Sequence, residues 1–151
     1  INEQINFEMF SANTYLSMSA YFAQQGLDGF AHWYYMQYKE ELAHAEDMMH
    51  YVITRGGKVE IKAVAAVETE FNSPLEIAEK AYHHECLVSE KIEGLVRIAS
   101  EEKDMPSQDF FWKYIREQVE EEANATNLID RLRLAEGHAI LFLDKELAAR
   151  Q

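Results

Sequence analysis

The stretch D-G-F-A-H-W-Y-Y-M-Q-Y-K-E-E-L-A-H-A-E-D-M-M-H-Y-V-I-T-R, Asp28 to Arg55, contains no proline and lies between Gly26 and the pair Gly56-Gly57. Through Phe30, Tyr34, Gln37, Glu41, His44, Met48 and Tyr51 its inward positions recur at alternating spacings of four and three. That is the stripe of a long helix packed lengthwise against others. Asp28 is expected to cap its start, and basic Arg55 stands at its end, the polarity a helix dipole favours. A helix of this length spans about 40 Å.

Punctuation is equally sparse on either side. The 151 residues include two prolines and six glycines, which leaves room for long helices and little else. A first segment closes at Gly26 and Gly29. Lys58 to Asn72, with its valines and partial alternation, reads as an extended connection. Ser73-Pro74 is an N-cap followed by proline at the first helical position, with Glu76 in the first turn, and this third helix reaches about Glu102. Lys103-Asp104-Met105-Pro106 breaks it. Ser107 is expected to cap a fourth helix running to about Ala135, and Gly137 ends it. In the tail, His138 to Ala149, the run Ile140-Leu141-Phe142-Leu143 is apolar on every side of a helix, so its burial is expected to involve more than its own bundle. Short joints make neighbours antiparallel, whereas the long link can span a bundle end to end. The expected fold is all-α: a single domain over residues 1–151, a four-helix bundle with one long crossover between helices two and three and a short fifth C-terminal helix.

Fourteen Lys+Arg against 27 Asp+Glu give a net charge of −13. Such a field repels phosphate backbones and anionic membranes and attracts cations, so no nucleic-acid or membrane partner is expected. Residues 9–27 carry no charge, but Ser11, Asn13, Thr14, Ser17, Ser19, Gln24 and Gln25 are too polar for a membrane span. The one cysteine, Cys86, rules out an intrachain disulfide and suits a reducing cytosol. The chain opens at Ile1 without Met or a basic-then-apolar leader, which implies that a few residues of the true start are missing.

Comparable seams run along the other helices, and each is interrupted by a carboxylate near its middle: Glu8 on the first, Glu41 with His44 on the second, Glu85 on the third, Glu121 with Gln118 on the fourth. A seam glutamate alone is ordinarily an interhelical hydrogen-bonding residue. Four at matching depth cannot stay ionised in a core, because desolvation and mutual repulsion would neutralise them or unfold the chain, whereas two divalent cations cancel their charge. Oxygen-rich ligation with a single imidazole favours iron or manganese over a structural zinc. Counted from Gly26 and Gly29, Glu8 and the Glu41-His44 pair differ in height by roughly 5–9 Å; Glu85 and Glu121 come out nearly level.

With N-E-Q-I-N-F-E-M-F-S-A-N-T-Y (Asn2 to Tyr15), K-E-E-L-A-H (Lys39 to His44), Y-H-H-E (Tyr82 to Glu85), E-Q-V-E-E-E (Glu117 to Glu122) and L-F-L-D-K-E-L (Leu141 to Leu147), the chain resembles the non-haem ferritins of bacteria and archaea over nearly its whole length. The resemblance implies a cytoplasmic iron-storage protein that oxidises Fe(II) to Fe(III) with O2 or peroxide at an intrasubunit di-iron ferroxidase centre. The ferric product then goes to a mineral inside a homo-oligomeric shell of about 24 subunits. By position, Glu8, Glu41 and His44 look like the first iron site. Glu41 would also bridge to a second, completed by Glu85 and Glu121 with Gln118 beside it. Tyr15 looks like the tyrosine next to the centre, a donor of a hydrogen bond or an electron, and Glu40, Glu117, Glu120 and the shared Glu121 match a third iron site. Gln118-x-x-Glu121 stands where symmetric di-iron proteins carry Glu-x-x-His, which weakens the second site. Leu42 replaces the haem-binding methionine of bacterioferritins, so no haem is expected. The alternative is a di-iron oxidase or oxygenase that retains its metals and acts on an organic substrate; it would want imidazoles in both halves. Cys86 reads as a simple buried thiol, and His32, His50, His83, His84 and His138 as surface or packing residues.

Overall fold

The structure is a computed structural model that describes all 151 residues, with no strand among them. Helices α1 (Asn2–Gln24), α2 (Asp28–Thr54), α3 (Pro74–Glu101) and α4 (Met105–Leu134) are followed by a single 3-10 turn at Gly137–Ala139 and by α5 (Ile140–Leu147). No helix is long and apolar enough to cross a membrane. The chain divides into two compact units, Ile1–Asn72 with Ala135–Gln151, and Ser73–Leu134.

In the first unit α1 and α2 form an antiparallel hairpin. Gly26 takes φ +78°, which lets the Leu27 N–H reach back to the Phe22 carbonyl at 2.9 Å and closes α1 without a steric cost to a side chain. Phe22 then stacks on Phe30 and Tyr34 with ring centroids 4.8 and 5.1 Å away. These three rings are almost wholly buried, and apolar burial of that extent contributes about 1.5–3 kcal/mol per side chain.

From the end of α2, residues 58–72 run extended along α1. Asn2 donates to the Lys58 carbonyl (2.8 Å) and accepts from the Glu60 N–H (3.0 Å). Asn6 does the same with the Glu60 carbonyl (2.8 Å) and the Lys62 N–H (2.7 Å). Farther along, Ser17 donates to the Glu68 carbonyl, and Phe71 meets Tyr21 edge-on. Two asparagine amides thus supply what a neighbouring strand would have supplied, and the link follows α1 from its first turn to its last, as an end-to-end crossover must.

Two caps differ from the sequence expectation. Asp28 does not cap α2: Leu27 holds the cap position without a side-chain hydrogen bond, and the Phe30 N–H is taken by Asp144 Oδ1 of α5 at 2.9 Å. Ser107 does not cap α4, which starts two residues earlier at Met105. Asp104 accepts from the Ser107 N–H (3.2 Å) and hydroxyl (2.7 Å), and Pro106 is tolerated because first-turn amides have no helical acceptor. In the second unit Ser73 caps α3 as expected, accepting from the Glu76 N–H at 3.1 Å. Gly29 lies inside α2 rather than in the turn. A Cβ there would stand 1.7 Å from the Asp144 carbonyl oxygen, so α5 approaches α2 where only glycine permits it.

Candidate metal centre

In the first unit α1 brings Gln4 and Glu8 together one turn apart, and α2 brings Glu41 and His44 to one face by their spacing of three. The expected height offset is absent for His44 and shrinks to about one turn for Glu41: Glu8 stands 16 residues before Gln24, and Glu41 and His44 13 and 16 residues after Asp28, the observed helix ends. Counting from Gly26, two residues past the end of α1, and from Gly29, one residue inside α2, created the rest of the discrepancy. His44 Nδ1 lies 3.3 Å from Glu41 Oε2 and 3.9 Å from Glu8 Oε2. One ligand atom from each of Glu8, Glu41 and His44 falls within 4.8 Å of the others, close enough for one ion.

Glu8 and Glu41 are 1% and 4% exposed. The Gln4 amide donates to Glu8 Oε1 at 2.7 Å. Glu8 Oε2 is the one buried side-chain polar atom with no hydrogen-bond partner. A buried carboxylate oxygen left bare costs several kcal/mol unless a cation meets it. Burial alone would push the Glu8 carboxyl up, but its polar contacts with Glu41, His44 and Gln4, together with the His44 charge, outweigh that and hold it below the usual carboxylate value. Glu8 is therefore anionic at neutral pH, as a ligand must be. Tyr15, also buried, lies with its ring centroid 6.2 Å from that of Tyr34, whose phenol burial pushes well up.

In the second unit Glu85 is 1% exposed and Gln118 is 6% exposed. Gln118 Nε2 lies 3.0 Å from Glu85 Oε2, 3.1 Å from the Glu85 carbonyl oxygen and 3.2 Å from Ser89 Oγ. The amide nitrogen thus faces the carboxylate. Ser89 and Cys86 in turn donate to Glu122, at 3.3 and 3.1 Å. Glu121 is half-buried, and Glu117 and Glu120 are exposed.

Glu40, on α2, is already engaged. Arg150 from the C-terminal turn donates to Glu40 Oε1 (2.9 Å), Gln37 Oε1 (2.7 Å) and the Trp33 carbonyl (3.0 Å), with its guanidinium over the Trp33 ring. Its carbonyl accepts from His32. Sequence reasoning gave no hint of this arginine, because its partners lie more than a hundred residues away. Gln4 was also overlooked, since it stands beside the seam and not on it; a glutamine one turn before a buried glutamate is the signal that could have found it.

Comparison with known proteins finds relatives along nearly the whole chain. The model of the ferritin-like domain family matches residues 1–135. A bacterial non-heme ferritin of Bacteroides fragilis is 47% identical over 150 residues, 99% of this chain and 94% of its own. One from Campylobacter jejuni is 36% identical over 138 residues, 91% of this chain and 83% of its own. Among solved structures, an open pore ferritin from the hyperthermophilic archaeon Archaeoglobus fulgidus superimposes with a TM-score of 0.97 at 47% identity, covering 99% of this chain and 94% of that one. An all-helical chain with a long crossover, a short fifth helix and buried glutamates in its long helices, matched at this level along its whole length, has the ferritin four-helix-bundle fold and belongs to the ferritin-like domain family.

Proposed function

We propose that iron storage, the function of the family to which this chain belongs, begins with oxidation of Fe(II) by the chain itself. Iron is the substrate. Glu8, Glu41 and His44 take one Fe(II), and Glu85 and Glu121 with Gln118 supply the ligands of another. On this reading residues 1–151 act as one ferritin-like domain. Two Fe(II) ions give up one electron each; O2 accepts both with two protons and leaves as hydrogen peroxide, or peroxide accepts them and leaves as water. The four carboxylates offset the charge that rises as Fe(II) becomes Fe(III), which favours the oxidised ions and so the loss of the electrons. Tyr15 stands as the donor of a hydrogen bond or an electron. Glu40, Glu117, Glu120 and Glu121 form a further position for iron in transit, where an arriving cation competes with Arg150 for Glu40.

The observation that carries this reading is the bare Oε2 of Glu8, buried beside Glu41 and His44 with no partner of its own. A metal-free helical module would gain nothing from it. The reading also includes a cytoplasmic shell of about 24 copies, in keeping with closed homo-oligomeric symmetry. Adding Fe(II) in air to the apo protein tests it: uptake far beyond two iron atoms per chain is expected, with fast oxidation abolished in Glu41→Ala and later turnover altered more than the first in Glu120→Ala. An enzyme that keeps its metals for an organic substrate saturates near two per chain, and oxidation at the wild-type rate by Glu41→Ala refutes the proposed centre.

A further inference from the structure

A carboxylate can meet a cation with one oxygen or with both, and what else its oxygens touch decides which. Glu8 is asymmetric in this respect. Oε1 accepts a short, charge-assisted hydrogen bond from Gln4 Nε2 at 2.7 Å, while Oε2 has no partner and faces His44 Nδ1 at 3.9 Å. Gln4 is itself 4% exposed, so its amide is buried for a purpose other than solvation. The choice of an amide matters. An ammonium or guanidinium at this position would cancel the charge of Glu8 and compete with a cation, whereas a neutral donor occupies one oxygen and leaves the negative charge in place. The second unit repeats the device with different geometry: Gln118, on α4, donates to Glu85 Oε2 on α3 at 3.0 Å. Two buried glutamates each have one oxygen engaged by a glutamine amide.

We propose that Gln4 is a positioning residue that restricts Glu8 to one-oxygen donation, through Oε2, toward the cation held with Glu41 and His44. The inference rests on the reading that these three residues bind a divalent ion. Engaging Oε1 keeps Glu8 from closing over the ion with both oxygens and so leaves a coordination position for an exchangeable ligand. It also fixes the carboxylate plane, so that the ligand geometry is in place before the ion arrives.

Anaerobic titration with Co(II) reads both affinity and coordination number, the latter from the intensity of the visible absorption, which falls as coordination number rises. Gln4→Met keeps length and removes the donor. In the binding event that Glu41→Ala abolishes, Gln4→Met is expected to bind about tenfold or more weakly, the usual consequence of losing a hydrogen bond to a metal ligand, and with a weaker visible band. Gln4→Asn, which retains the amide but withdraws it by one methylene, should behave the same way. In a Glu8→Gln background the further loss from Gln4→Met should disappear, because the effect acts through the Glu8 carboxylate; a packing defect would persist there. Wild-type affinity and spectrum in both Gln4 variants, or a loss that persists with Glu8→Gln, would overturn the role of Gln4. If Glu41→Ala itself binds Co(II) as the wild type does, it is the three-residue cation site that fails, a result separable from the first.

Discussion

At Glu8, burial acts to raise the carboxyl while Glu41, His44 and Gln4 act to lower it, and the lowering prevails. A carboxyl depressed in the folded state contributes stability that is fully present above its unfolded value, about 4.5, and is lost as pH falls through the lower folded value. Wild-type apo protein should therefore lose thermal stability relative to Glu8→Gln as pH drops below that range; thermal melts across pH check this. Cys86 makes the opposite case. Burial raises its thiol, and the Glu122 carboxylate that accepts its hydrogen bond raises it further, against a smaller lowering from Tyr82. Alkylation at mildly alkaline pH should be slower than for a free thiol, and Glu122→Gln should speed it, since a neutral acceptor no longer disfavours the thiolate; an unchanged rate would contradict the assignment. The seam positions of Glu8, Glu41, His44, Glu85 and Gln118 were legible in the sequence because burial follows helical period. The partners of those residues were not, because Gln4 sits off the seam and Arg150 reaches Glu40 only through the fold-back of the C-terminal turn.

Among the elements, α5 does more than end the chain. Its Asp144 accepts from the Phe30 N–H, taking over the cap that Asp28 was expected to provide, and its backbone sits where Gly29 has no side chain. The local sequence reads as a self-capped helix because nothing near Asp28 reveals an acceptor more than a hundred residues away. Asp144→Ala should cost about 0.5–2 kcal/mol, the ordinary loss of an N-cap. Gly29→Ala should cost more than overpacking commonly does, about 1–3 kcal/mol, because the new methyl meets backbone and α5 must move off. Denaturant unfolding gives the two costs, and hydrogen exchange localises the Gly29→Ala effect to α5 and the first turn of α2. The crossover was better foreseen, since alternation and valines in Lys58 to Asn72 point to extended backbone. That Asn2 and Asn6 would hold it against α1 was invisible, because asparagines on a helix surface carry no mark of their partner.

For the molecule as a whole, the unanswered demand is apolar. Leu143 and Leu147 of α5 are buried, yet Leu141 and Phe142 on the same short helix are 56% and 76% exposed, as expected of a helix apolar on every side. A phenylalanine side chain removes about 150–250 Å² from water when buried, and an uncovered one in a chain of net charge −13 fits a surface that another copy covers in the proposed shell. Under the proposed function oxidation depends on ligands within one chain and retention of a mineral on the closed shell, so a lesion on this face should separate the two. Phe142→Asp places a carboxylate where apolar contact is required while leaving Gly29, Asp144 and the Glu8-Glu41-His44 group untouched. The variant should keep its helical circular dichroism and its first rapid Fe(II) oxidation, appear by native mass measurement as species smaller than the wild-type assembly, and hold far less iron per chain after repeated additions. Full assembly with undiminished loading would show that α5 presents this face to solvent and that the shell closes through other helices.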